Sequence, residues 1–191
     1  LGKVNSFFLP LSTNIFLNFS NIKKLNNYYL NKVYHVGLPN NLNISDKIIK
    51  INGEEKIKIL VYGGSQSSVN LNKGFLNLID KLPNFFKNKL LVIIQISNKM
   101  IIDDYKKNNH LNVEFITRPF FENIHSILKS SDLVFSRSGA GTINDIIISK
   151  IPSILVPLPH SIDNHQYYNA RYLVEKKAAK LINEKDLSAE E

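Results

Sequence analysis

Three short stretches hold the residues equipped to do chemistry. Ser136–Asp145 reads SRSGAGTIND; it follows an apolar run ending at Phe135 and leads into a helical run from Thr142. A strand, a glycine turn and a helix start in direct succession bring backbone N–H groups close to a ligand that carries negative charge or hydroxyls. Ser138 and Thr142 are available to cap that helix. Asp145 can accept from ribose hydroxyls, as an acid does in many nucleotide-binding folds. The plainer role for such an acid is to offset the helix dipole, worth about 0.3–1 kcal/mol. Arg137 likewise has two readings, a phosphate ligand or an ion-pair partner of Asp132 or Asp145.

The second stretch is GGSQSS, Gly63–Ser68. Its glycines give backbone freedom, and Ser65 and Gln66 set a hydroxyl and an amide at the next helix start. That suits a diphosphate cradle, or simply a Ser cap after a tight turn. It is neither G-x-G-x-x-G nor a Walker loop, which disfavours dinucleotides and triphosphates. The third is PLPHSIDNHQYYNA, Pro157–Ala170. Two prolines stiffen a loop, after which Asp163, Asn164, His165 and Gln166 open a helix. Clustered amides and an imidazole suit sugar hydroxyls, or form an ordinary polar helix face. His35, His110, His125 and His160 have no evident partner and are assigned to surface or packing. No spacing singles out a Ser-His-Asp triad, so hydrolysis is disfavoured.

These stretches must be positioned by alternating elements. Lys56–Gly63, Leu90–Ser97, Asn112–Ile116, Asp132–Phe135, Ser153–Val156 and Ala178–Ile182 read as strands. Between them Val69–Leu82, Met100–Lys107, Phe121–Lys129, Thr142–Lys150 and Asn164–Lys176 read as helices, with a further helix start near Leu187. Strands apolar on both faces imply an α/β fold, a doubly wound parallel sheet covered on both sides. Ligands of such sheets bind at the carboxyl ends of the strands, where the glycine turns fall. Residues 1–40 differ: Asn14–Phe19 and Lys32–Val36 are strand candidates, and Gly37–Ser45 looks like a linker. We read 1–40 as the tail of a preceding domain plus a crossing segment, and 41–191 as the ligand-binding domain.

The bulk numbers fit one domain and a piece of another: 191 residues, 43% hydrophobic. No Cys is present, which excludes disulfides, thiolate metal sites and cysteine nucleophiles. The net charge of +8 suits acidic partners, although Asn, Ile and Lys are over-used along the whole chain rather than in a patch. No apolar run reaches transmembrane length and no secretory signal is visible. The first residue is Leu1, not Met, so the chain is expected to begin inside a longer protein.

VYGGSQ (Val61–Gln66), SRSGAGT (Ser136–Thr142), the Pro157-Leu158-Pro159 loop, DNHQYYNA (Asp163–Ala170) and AAKLINEKDLS (Ala178–Ser188), in this order, resemble the MurG family. That resemblance implies a GT-B fold and transfer of N-acetylglucosamine from UDP-GlcNAc to an undecaprenyl-linked muramoyl-pentapeptide in peptidoglycan synthesis. This chain would be the C-terminal, donor-binding half of an inverting transferase. The resemblance puts Ser65 and Gln66 on the diphosphate and the backbone near Phe121 against the uracil edge. Ala140, Gly141 and Thr142 would cradle the donor, and Asp145 would hold the ribose. His165 and Gln166 would meet the sugar hydroxyls, with Asn169 close by. The catalytic base and the acceptor site would lie in an N-terminal domain absent here. No metal, cofactor or nucleic-acid partner is expected, and peripheral association with the cytoplasmic face of the bacterial inner membrane is. Three positions depart from the family pattern: Asp145 replaces a Glu, Ser67 and Ser68 replace small residues, and Asn41 stands where an Arg would meet the phosphates. A free-standing donor subunit of another UDP-GlcNAc transferase, or a truncated inactive nucleotide-binding fragment, are the alternatives.

Overall fold

The computed structural model describes residues 3–18, 25–38, 56–63, 69–96, 103 and 113–187. The chain falls into two compact units, Leu1–Asn41 and Leu42–Glu191.

In the first unit, helix α1 (Lys3–Phe8) precedes strand β1 (Ile15–Leu17), and a 3-10 segment (Asn27–Lys32) precedes strand β2 (Val33–His35). The two strands pair in parallel with Ile15 opposite Val33. Asn26 caps the 3-10 segment by accepting from Tyr28 N at 3.0 Å, and Lys32 Nζ donates to Ser12 O at 3.0 Å. Leu17 is the sole buried apolar residue among this unit's described residues, while Phe7, Phe16 and Tyr34 are exposed.

The second unit carries the sheet. Its strands are β3 (Ile57–Tyr62), β4 (Leu90–Gln95), β5 (Glu114–Arg118), β6 (Leu133–Ser136), β7 (Ser153–Leu155) and β8 (Ala179–Leu181). They lie in the order β5-β4-β3-β6-β7-β8, every pairing parallel. The doubly wound expectation is therefore met. Every residue of β4 is buried, the signature of a strand covered on both faces. Helix α2 (Val69–Asp80) turns Leu71, Phe75, Leu76 and Ile79 inward at helical spacing. There Phe75 meets Phe135 with ring centroids 5.1 Å apart, among Val61, Val92, Ile94 and Val156.

The chain winds outward from β3 through β4 to β5, then returns to the other side of β3 to lay down β6, β7 and β8. The order reverses between β3 and β6, where Tyr62 pairs with Ser136. A crevice opens at the carboxyl ends of strands at such a reversal. Both glycine turns begin there.

Several element bounds differ from the sequence reading. The third strand runs Glu114–Arg118 instead of Asn112–Ile116. The following helix, α4 (Ile124–Ser130), starts three residues later than expected, because Asn123 caps it by accepting from Ser126 N at 3.1 Å. A short helix, α3 (Asn84–Lys87), was not anticipated; Lys87 Nζ turns back to donate to Asp80 O at 2.7 Å and closes the end of α2. The helix expected over Met100–Lys107 lies outside the described residues apart from Asp103, as does most of the Gly37–Ser45 linker. A 3-10 turn spans Glu184–Leu187 and packs on α2; a helix starting near Leu187 would lie outside the described residues.

That packing requires Gly74. A Cβ there would stand 2.7 Å from Leu187 Cδ1 and 2.8 Å from Leu187 Cβ. Gly74→Ala is expected to destabilise the domain by about 1–3 kcal/mol in denaturant titrations. Adding Leu187→Ala should relieve only part of the clash, since it removes the contacts with Cδ1 and Cγ but keeps the Cβ that stands 2.8 Å away.

Candidate functional site

The turn after β6 feeds helix α5 (Ala140–Ser149), whose cap position is Gly139 with φ −61° and ψ 154°. Any residue can adopt that conformation. A Cβ at Gly139 would meet nothing closer than Thr142 Oγ1 at 3.9 Å, and one at Gly141 would meet nothing within 4 Å among the described residues. Neither backbone strain nor packing demands these glycines. Their effect is to leave bare main chain at an exposed helix N-terminus beside the reversal, where N–H groups can reach an anion. Ala140 and Gly141 are exposed and Thr142 is buried.

The expectation that Ser138 or Thr142 caps this helix is corrected. Ser138 is fully buried, and its hydroxyl crosses to helix α6 (His165–Glu175), donating to Gln166 O at 2.9 Å. Asn169 Nδ2 returns the contact to Ser138 O at 3.0 Å. Gln166 Oε1 accepts from Leu158 N at 3.0 Å, holding the proline loop against the helix start. His165 is exposed at the same helix start. Two successive left-handed residues, Asp163 (φ 52°) and Asn164 (φ 53°), set the angle at which α6 begins; Asp and Asn tolerate that region better than other side chains do.

Arg137 is buried in the domain instead of being presented to a phosphate. It is 5% exposed and turned inward, donating through Nη1 to Val156 O at 3.2 Å and Pro157 O at 3.3 Å, with Nη2 paired to Glu184. Glu184 also accepts from Asn70 Nδ2 at 3.2 Å. Asp132 instead accepts from Lys58 N at 2.8 Å.

Asp145 lies in the second turn of α5, too deep for the dipole role. Its side chain is 19% exposed, and Oδ1 is 4.0 Å from His125 Nδ1 on α4. Burial pushes its carboxyl above the ordinary value, and the His125 charge pulls partly the other way. Tyr62, the last residue of β3, completes the group: burial, then the Asp145 charge, pushes its phenol up, so it stays protonated. His125 thus packs against Asp145, a contact the sequence reading did not foresee. No sequence signal pointed to it, since the periodicity of α4 does not say which residue of α5 it faces.

Phe121 is buried, so its backbone is what it can offer a ligand. Its loop is fixed from below: Asn72 Nδ2 donates to Gln95 O at 3.0 Å, and Gln95 Nε2 donates to Pro119 O at 3.3 Å. Ser65 and Gln66, with Ser67, Ser68 and Asn41, lie outside the described residues; Gly63 shows where their turn leaves β3. Among the described residues no group of His, Asp and Glu could hold a metal ion, and no helix is long and apolar enough to cross a membrane.

A family model described as Glycosyltransferase family 28 C-terminal domain matches residues 58–191. The UDP-N-acetylglucosamine--N-acetylmuramyl-(pentapeptide) pyrophosphoryl-undecaprenol N-acetylglucosamine transferase of Rickettsia canadensis is 33% identical over 196 residues, covering 99% of this chain and 54% of the relative. The similarly named transferase 1 of Bacillus cereus is 36% identical over 135 residues, 71% of this chain and 37% of the relative. The chain thus spans about half the length of the curated relatives it matches along its whole extent. The crystal structure of Acinetobacter baumannii MurG superposes with a TM-score of 0.75 at 21% identity, over 96% of this chain and 51% of that one, a likeness of fold. The resemblance drawn from the motifs is borne out.

Removing one partner of the Arg137–Glu184 pair leaves a charge out of water. Arg137→Met is expected to cost about 3–5 kcal/mol of unfolding free energy. The Arg137→Met/Glu184→Met double variant should recover part of that loss, measured as a double-mutant cycle by denaturant titration. A second expectation concerns pH. With the Asp145 carboxyl raised in the folded state, the folded state favours its protonated form. The cost of ionising it is absent below about pH 3.8, grows as pH rises through the raised folded value, and is fully present above it. Asp145→Asn should therefore be more stable than the parent at neutral pH, with the difference vanishing in acid, as followed by thermal melts.

Proposed function

The chain belongs to the glycosyltransferase family 28 C-terminal domains, and from that premise we propose that it is the donor-binding half of an N-acetylglucosaminyltransferase. The reaction is transfer of N-acetylglucosamine from UDP-GlcNAc to the undecaprenyl-linked muramoyl-pentapeptide. What supports the reading is one juxtaposition: the bare helix start Gly139–Thr142 and the mostly buried Asp145 lie on one helix beside the reversal between β3 and β6.

In this reading the N-terminal turn of α5 and the Ser65–Gln66 turn take the diphosphate. The Phe121 backbone meets the uracil edge, and Asp145 accepts from the ribose hydroxyls. His165 and Gln166 face the sugar from the start of α6, while Asn169 acts indirectly by holding the Ser138 loop. Transfer is a direct displacement with inversion at the anomeric carbon. Backbone N–H groups aimed at the departing diphosphate stabilise the charge that develops there, which is the electrostatic share of catalysis. The catalytic base and acceptor site belong to the part of the relatives' length that this chain does not span, and residues 1–40 are the tail of that part with the crossing segment. A lipid-linked acceptor places the enzyme peripherally at the cytoplasmic face of the inner membrane.

Titration calorimetry of the 191-residue chain with UDP-GlcNAc tests this. Saturable binding is expected, and Asp145→Ala should weaken it by about 1–3 kcal/mol with the fold retained. No detectable binding at millimolar donor would sink the donor-site reading, and an unchanged affinity in the variant would remove Asp145 from it.

A further inference from the structure

His125 has no role in the donor reading above. It is the second residue of α4 and is three-quarters buried, with 24% of its side chain exposed. Its Nδ1 is closed to solvent and has no hydrogen-bond partner among the described residues. That nitrogen faces Asp145 Oδ1 at 4.0 Å, an ionic contact rather than a hydrogen bond. Tyr62 acts on the same carboxyl from the end of β3. Three elements, β3, α4 and α5, thus bring a phenol, an imidazole and a carboxyl together at the reversal of the sheet.

The chemistry of the group is lopsided. A carboxyl must be ionised to accept from two sugar hydroxyls, and burial opposes ionisation. Tyr62 contributes no positive charge. The imidazole charge favours the ionised carboxyl. Its contact is with Oδ1.

We propose that His125 is a positioning residue for donor recognition: it holds Asp145 ionised with Oδ1 toward α4, leaves Oδ2 for the ribose hydroxyls, and so makes the site select ribo- over 2′-deoxyribonucleoside diphosphates. This rests on the donor-site reading and adds a residue to it. The pairing of an imidazole with a carboxyl makes selectivity pH-dependent, while Tyr62 remains a neutral phenol.

The test compares the 191-residue chain with His125→Ala and His125→Gln. Binding of UDP and of 2′-deoxy-UDP is measured by calorimetry at about pH 6 and about pH 8. The Asp145 carboxyl is titrated by carbon-13 NMR in the absence of ligand. The parent should prefer UDP, more so at the lower pH. His125→Ala should lower UDP affinity about tenfold at the lower pH, a difference of about 1.4 kcal/mol. It should leave 2′-deoxy-UDP nearly unchanged, flatten the pH dependence and move the Asp145 titration upward. His125→Gln fills the space without the charge and should reproduce the flattened profile; it carries the comparison alone should the Ala variant not fold. UDP binding with an unchanged ribo-to-deoxy ratio and an unmoved Asp145 titration would overturn the role of His125 and leave the donor site standing. A parent chain that binds no UDP would overturn the donor site, and this role with it.

Discussion

The site depends on one buried cation. Arg137 leaves the end of β6, yet its guanidinium points into the domain, where it meets the last carbonyls of the β7 end and the Glu184 carboxylate. Glu184 in turn accepts from Asn70 in the first turn of α2. Four segments far apart in sequence converge on this contact: the turn after β6, the loop after β7, the start of α2 and the Glu184–Leu187 turn. A guanidinium taken out of water must find such partners, because an unpaired buried charge costs several kcal/mol. Its planar fork of donors suits the task in a way an ammonium does not. The consequence is that the two glycine turns flanking the β3–β6 reversal leave a frame held by interactions internal to the protein. A second set of contacts, Ser138 to Gln166 and Asn169 back to Ser138, ties the same turn to α6. A ligand at the Gly139–Thr142 helix start would meet main chain already held by these contacts, which lessens the ordering needed on binding.

Asp145 is the opposite case. Arg137, Ser138 and Asn169 find partners within the fold, whereas the ionised Asp145 carboxyl is disfavoured by its mostly buried position. Folding gains nothing from that ionised group. A residue kept against its contribution to stability, at the reversal of the sheet and beside an open helix start, is what a binding site requires and a scaffold does not. The imidazole of His125 softens the conflict without removing it.

Much of this architecture was legible in the sequence, for definite reasons. Continuous apolar runs such as Leu90–Ile96 have no other use in a chain of this size than strands covered on both faces, and Pro83 marks the end of α2. Bounds were less secure where a side chain decided them. Asn123 could not be recognised as a cap until its partner Ser126 was in view, and the third strand slid two residues toward Arg118 for want of a sharp signal. The glycine turns were legible because composition and position agree. Arg137 was misread because a cation inside a glycine turn resembles a phosphate ligand, and its real partner lies far along the chain in another element. His125 was missed on the same ground: which residue of α5 it faces is set by how two helices pack, and neither helix states that alone. The roles of Ser65 and Gln66 stand on motif alone.

The central claim is that a nucleoside diphosphate occupies the cleft where β3 and β6 end. The most direct measurement is the change in backbone amide chemical shifts of the isotopically labelled chain on adding UDP. The account predicts changes concentrated at Gly139–Thr142, Asp145 and the residues after Tyr62, with the opposite end of the sheet, around Lys56 and Leu90, unaffected. Changes centred elsewhere, or none at saturating UDP, would contradict it.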